Sequence, residues 1–212
     1  RTILKVGWNS AAEIISFEGF GGTAYRSREM SEAFQTISKS MLLELVYPIS
    51  ESRQPAMQNF HRRPKLLWLD TGLVNYAVGL QKEVFLSDDI QDVWRGRIAE
   101  HIVGQELLSF QSDISAHRLF WHRDKQGSSS EIDFIHPFQG LLIPVEVKTG
   151  HNAHLKSLHF FMDDAPHNIA VRVWSQPFSV DDVKTHSGKT FRLLNIPFYY
   201  VGQIEKILQN KI

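Results

Sequence analysis

The sequence has no cysteine, which excludes disulfides and thiolate zinc sites and fits a reducing cytoplasm. No apolar run approaches the roughly 20 residues needed to cross a bilayer. Residues 1–45 also lack the charged, apolar and cleavage-site order of a signal peptide. A soluble, cytoplasmic protein with no membrane partner is therefore expected. Net charge is missing too: 23 Lys and Arg face 23 Asp and Glu. No global field draws the chain to nucleic acid, so any such binding must come from local patches. Internal repeats and low-complexity segments are absent. What is present, 42% apolar and 22% charged residues over 212 positions, is the mix of an ordinary globular protein with a substantial core in one or two domains. The chain begins at Arg1 in mid-pattern, and a piece of a longer protein is expected.

The first part reads as helical. Met30, Phe34, Ile37 and Met41 recur at three- and four-residue spacing over Ser27–Met41, which makes one apolar helix face. Ser27 is the expected N-cap, with Glu29 in the first turn. Gly19, Gly21 and Gly22 form a turn before it. Residues 42–47 and 65–69 read as strands joined by a polar, proline-containing loop over 48–64. Helix, turn, helix and long hairpin is the order of a winged helix. Arg26, Arg28, Arg62, Arg63 and Lys65 would support DNA contact by it; a structural or subunit-packing role, homo-oligomerisation included, fits those residues as well.

Asp70–Thr71–Gly72 starts a short helix at 73–78, and a linker carrying Asp88 and Asp89 follows. A long helix is expected at 92–110. Strands are expected at 118–122, 131–136 and 141–148, then a helix at 153–162 and a strand at 169–174. A polar hairpin-like stretch, a strand near 192–194 and a last helix at 203–208 complete the chain. Helix, three strands, helix, strand predicts α/β (an α+β mixed sheet), divided into domains at 1–70 and 71–212.

Along residues 141–148, Leu141, Ile143, Val145 and Val147 alternate with Leu142, Pro144, Glu146 and Lys148. In a strand the two sets face opposite sides, so Glu146 and Lys148 stand side by side. Pro144 lacks a ladder donor, which predicts an edge strand or a bulge. The preceding strand supplies Asp133, and the short 137–140 turn makes the two strands hairpin neighbours. Two carboxylates that close would repel unless a cation sat between them. Hard oxygen donors select Mg²⁺ or Mn²⁺, which lowers the pKa of a bound water, while Lys148 orients that water or stabilises negative charge on a phosphate. An E-x-K triplet alone arises by chance about once in a chain this long, and an exposed ion pair on an edge strand fits the residues equally. On the long helix, Ile98, Ala99, Ile102, Val103, Leu107 and Phe110 define the expected buried face, with Glu106 near its middle and Glu100 at its border.

Three patterns are set aside. Ser187–Gly188–Lys189–Thr190 has Val183 where a P-loop needs its first glycine. The glycines at 19–22 lack dinucleotide-loop spacing, and His151, His154 and His159 lack acidic or cysteine partners at fixed spacing for zinc.

Three segments together resemble a known family: 97–108, with Glu100 and Glu106; Glu131–Ile–Asp133–Phe134; and Ile143–Pro–Val–Glu146–Val–Lys148–Thr–Gly150. They are similar to the C-terminal domain of a large group of prokaryotic AAA-type ATPases, itself similar to PD-(D/E)XK (restriction-endonuclease-like) and archaeal Holliday-junction-resolvase nucleases. Lys65–Leu–Leu–Trp–Leu–Asp70–Thr–Gly–Leu73 matches the segment with which that domain opens. The resemblance implies a small winged-helix-like domain before the nuclease-like one. It also implies Glu100, Asp133 and Glu146 as metal-facing acids with Lys148 as the catalytic lysine, nucleic acid (DNA) as partner, and an upstream ATPase module of the same protein that alone would bind ATP.

Overall fold

The computed structural model describes residues 1–79, 96–110, 117–125, 128–148 and 155–211. Asp88, Asp89, the 92–95 start of the expected long helix, and 149–154 with His151 and His154 lie outside them. Two compact units emerge: residues 1–47 with 60–105, and residues 48–59 with 106–212. The described residues 71–79 and 96–105, which the sequence pattern assigned to 71–212, are grouped with the first unit.

The first unit holds helices α1 (Thr2–Val6), α2 (Ser27–Ser38) and α3 (Thr71–Ala77), with strands β1 (Glu13–Ile14), β2 (Leu43–Val46) and β4 (Lys65–Trp68). The strands form an antiparallel sheet in the order β1-β4-β2. Central β4 is buried at every position, which suits its Lys-Leu-Leu-Trp sequence. Met30 and Phe34 of α2 join Ile3, Phe20, Leu66 and Trp68 in one core, where Trp8 stacks on Trp68 at 3.7 Å between ring centroids. The cap of α2 is Arg26 rather than Ser27: the Arg26 N–H donates to the Glu29 carboxylate at 3.0 Å, meeting one of the donors a helix start leaves open. Asp70 caps α3, accepting the Leu73 N–H at 2.7 Å. A side chain at Gly72 would come within 2.9 Å of that carboxylate, which accounts for the glycine of the Asp-Thr-Gly triplet.

The second unit is built on a seven-stranded mixed sheet ordered β3-β5-β6-β7-β8-β10-β9. Its strands are β3 (Pro48–Ile49), β5 (Leu119–Lys125), β6 (Ser128–Phe138), β7 (Leu141–Val147), β8 (Ile169–Trp174), β9 (Ser179–Lys184) and β10 (Thr190–Pro197). The 48–64 loop is thus more than a connection, because β3 pairs parallel with β5 and the Trp121 indole donates to the Ser50 carbonyl at 3.0 Å. Helix α5 (Lys156–Asp164) lays Leu158, Phe161 and Met162 on a core with Trp121, Ile132, Leu142 and Ala170. Helix α6 (Ile204–Gln209) closes the chain with Ile204 and Leu208 buried. Helices with three- and seven-stranded sheets make the protein a mixed α+β fold.

Pro144 does not mark an edge, since β7 lies between β6 and β8. The N–H of Lys148 donates to Val173 of β8, so alternation turns the nitrogens of Glu146 and Pro144 to the β8 side too. The β7–β8 register begins only at Val145. Pro144 therefore sits where no ladder donor is required, and a central strand tolerates it.

Helix α4 (Arg97–Ser109) also departs from expectation. Ile98, His101, Val103, Gly104 and Leu107 are buried, whereas Glu106 is exposed. At 100° per residue the inward arc centres near Gly104; Glu106 points away, and Glu100 lies within the arc. Counting aliphatic residues alone misplaced the face, because a histidine buries at little cost once both ring nitrogens are bonded.

Candidate active site

In the first unit, the N–H of Trp68 donates to His101 Nε2 at 2.9 Å, so Nδ1 carries the ring proton and donates to the Thr71 hydroxyl 2.9 Å away. That hydroxyl, with the Thr71 N–H, donates to the Gln105 side-chain oxygen. Lys65, 1% exposed, sets its ammonium 2.5 Å from Glu100. Lys65 is thus no surface cation for DNA; it is the ion-pair partner of Glu100. Of the other basic residues expected there, Arg28 pairs with Glu32 at 2.9 Å and Arg26 and Arg63 are exposed.

In the second unit, chemistry gathers on β6, β7 and β8. Lys148 Nζ lies 2.6 Å from Glu146 Oε1, as expected of i and i+2 neighbours on one strand. Glu146 is 4% exposed, while the Lys148 side chain keeps 27% of its surface. Asp133 reaches the same strand differently: its Oδ2 accepts the N–H of Val147 at 2.7 Å. A bulge explains this, because the β5–β6 register shifts between Leu119↔Ile135 and Trp121↔Ile132. The extra residue on β6 withdraws its backbone from the β7 ladder, and the Asp133 carboxylate stands in as acceptor. Asp133 thereby contacts the peptide between Glu146 and Lys148.

An acid close to Asp133 on the same strand is its own i−2 neighbour, Glu131. Glu131 and Asp133 bring carboxylate oxygens within 4.8 Å of each other, whereas Glu146 closes on Lys148. Glu131 stood in the resembling motif, but only Asp133 received a role from sequence. The period of two along β6 was the signal that joins them.

A second feature had no sequence signal. Strands β7, β8 and β10 run parallel, and register aligns Glu146, Arg172 and Asn195 across them, near their carboxyl ends. Arg172 Nε donates to Asn195 Oδ1 at 2.7 Å, and its guanidinium lies over the Trp174 ring, 4.0 Å from the centroid. Asn195, fully buried, turns its amide nitrogen to Ser179 Oγ at 2.9 Å and Asp181 Oδ2 at 2.7 Å. Burial pulls the Arg172 pKa below its usual range, and the nearby Asp181 opposes that pull.

An α+β domain whose neighbouring strands carry two acids, a third acid and a lysine is the class these observations define. Residues 95–197 match the family model described as a domain of unknown function, DUF4143. That span takes in α4 and every strand of the seven-stranded sheet except β3, to the end of β10. No curated protein and no solved structure matches the chain. No helix among the described residues is long and apolar enough to cross a membrane.

Proposed function

We propose that this protein is a metal-dependent phosphodiesterase acting on nucleic acid, DNA in the first instance, and forms the C-terminal part of a protein with an AAA-type ATPase module. The observation that carries the reading is the Asp133 carboxylate bonded to the peptide between Glu146 and Lys148. The donors suit a hard cation: Glu131 and Asp133 oxygens within 4.8 Å repel each other unless a positive charge offsets them. Asp133 and Glu146 would hold Mg²⁺ or Mn²⁺, with Glu131 beside them. The ion would supply Lewis acidity toward a phosphate oxygen. Lys148, bound to Glu146 in the free protein, is the group that stabilises negative charge on the phosphate.

The test is cleavage of single-stranded DNA, duplex and branched DNA, and RNA in Mn²⁺. Wild type should cut at least one form. Asp133→Ala should abolish cutting, and Lys148→Ala should reduce it about 10²–10³-fold. A wild-type protein that cuts none of them, or an Asp133→Ala protein that cuts as fast, refutes the reading. One observation favours a second reading, a non-catalytic nucleic-acid-binding or regulatory module of the ATPase. Glu146 is nearly buried and already bridged to Lys148. DNA affinity unchanged in Lys148→Ala and Glu146→Ala, without cleavage by wild type, would establish it.

A further inference from the structure

Arg172 has an arrangement that a purely structural arginine does not need. A guanidinium presents five donors in a rigid planar fork. Here only Nε is spent, on Asn195; the two Nη amines make no hydrogen bond to the described residues. The Asp181 carboxylate across β10 makes no ion pair with it. Asn195 lies between Arg172 and Asp181, giving its oxygen to the cation and its amide nitrogen to the carboxylate. The group is therefore fixed at one nitrogen, fixed in plane by the Trp174 ring, and left with a charged fork. Such a preorganised fork matches the two oxygens of a phosphate, and little rotamer freedom remains to be lost on binding.

Its position is equally specific. Arg172 is the register partner of Glu146, about 4.8 Å away at strand spacing, and paired residues of neighbouring strands share a face. The row lies near the carboxyl ends of three parallel strands, where open α/β sheets take their ligands. We propose that Arg172 is a substrate-binding residue of the Glu146–Lys148 site: its fork grips a backbone phosphate next to the one presented to Lys148. This rests on the nucleic-acid reading above and adds to it how the strand is held.

The test is fluorescence anisotropy with a labelled single-stranded DNA oligonucleotide, titrated onto the full chain in EDTA over a series of salt concentrations. Arg172→Gln should bind about tenfold more weakly. Its plot of log affinity against log salt should be shallower by about 0.7, the loss of one phosphate contact on a single strand. Arg172→Lys keeps the charge without the fork, and should retain the slope while losing affinity. Melting curves check the fold; if Arg172→Gln does not fold, Arg172→Lys decides alone. Wild-type affinity in a folded variant overturns the role of Arg172 and leaves the nuclease reading standing. A wild-type protein with no affinity for the oligonucleotide in EDTA or Mn²⁺ overturns the role of Arg172, and the nuclease reading falls with it only if that protein also cuts none of the DNA and RNA forms.

Discussion

The two units use buried charge and polarity in opposite ways. In the first, the polar groups turn inward on one another: Lys65 meets Glu100, and His101, Thr71 and Gln105 complete a chain of hydrogen bonds behind Trp68. In the second, Glu146 pairs with Lys148, whose side chain keeps contact with solvent, and Arg172 is anchored at Nε while keeping its fork. A closed network specifies structure, because every member is costly to unpair. A guanidinium anchored at one nitrogen is suited to a ligand, because the anchor supplies geometry and the remaining amines supply binding.

The sharpest way to break the comparison is Lys65→Met. It leaves the Glu100 carboxylate in a site built around an ammonium, and removing one partner of a buried pair costs about 3–5 kcal/mol. Urea denaturation should show that loss, and the double variant Lys65→Met/Glu100→Leu should recover most of it. A single variant as stable as wild type would show that the first unit's network is not closed as described. Next comes Asn195→Ala, which deprives Arg172, Ser179 and Asp181 of one shared buried partner. The expected cost is about 1–3 kcal/mol, read by the same denaturation, together with weaker DNA binding as Arg172 loses its anchor. Stability loss alone would assign Asn195 to the fold and not to the site.

The smallest effect is on pH. Burial holds His136 below the ordinary histidine value despite the opposing Glu205 carboxylate, and burial does the same to His167 against its bond to the Leu142 carbonyl. The unfolded chain therefore takes up these protons first. As pH falls through about 6.5, the unfolded state binds more protons than the native one, so stability declines until the native values are reached. The melting temperature should be lower at about pH 5.5 than at about pH 7.5, and His136→Gln should flatten that slope. An unchanged slope would show that His136 does not contribute to it.

Much of the fold was legible because its strands follow their patterns locally. The alternation over 141–148 marks β7 to within one residue, and the apolar run 169–174 has the bounds of β8. The two-residue strand β3 carries no local pattern; it exists because Pro48 and Ile49 meet Phe120 and Trp121 some seventy residues on. Likewise, no periodicity foretells that His101 belongs inside α4, since its burial depends on Trp68 and Thr71. The pairing of Glu146 with Lys148 was legible, being an i, i+2 relation on one strand. The bulge that sends Asp133 to the Val147 N–H was not, because it depends on register with β5. Arg172 and Asn195 were silent in sequence for the same reason: only the parallel register of β7, β8 and β10 sets them beside Glu146.

The most direct test of a cation site on β6 and β7 is calorimetric titration of Mn²⁺ into wild type and Asp133→Asn, a variant that keeps an acceptor for the Val147 N–H and removes the charge. Wild type should bind the ion, and Asp133→Asn should bind it at least about tenfold more weakly while melting at the same temperature. Absence of binding by wild type, or equal affinity in the two proteins, would contradict the account.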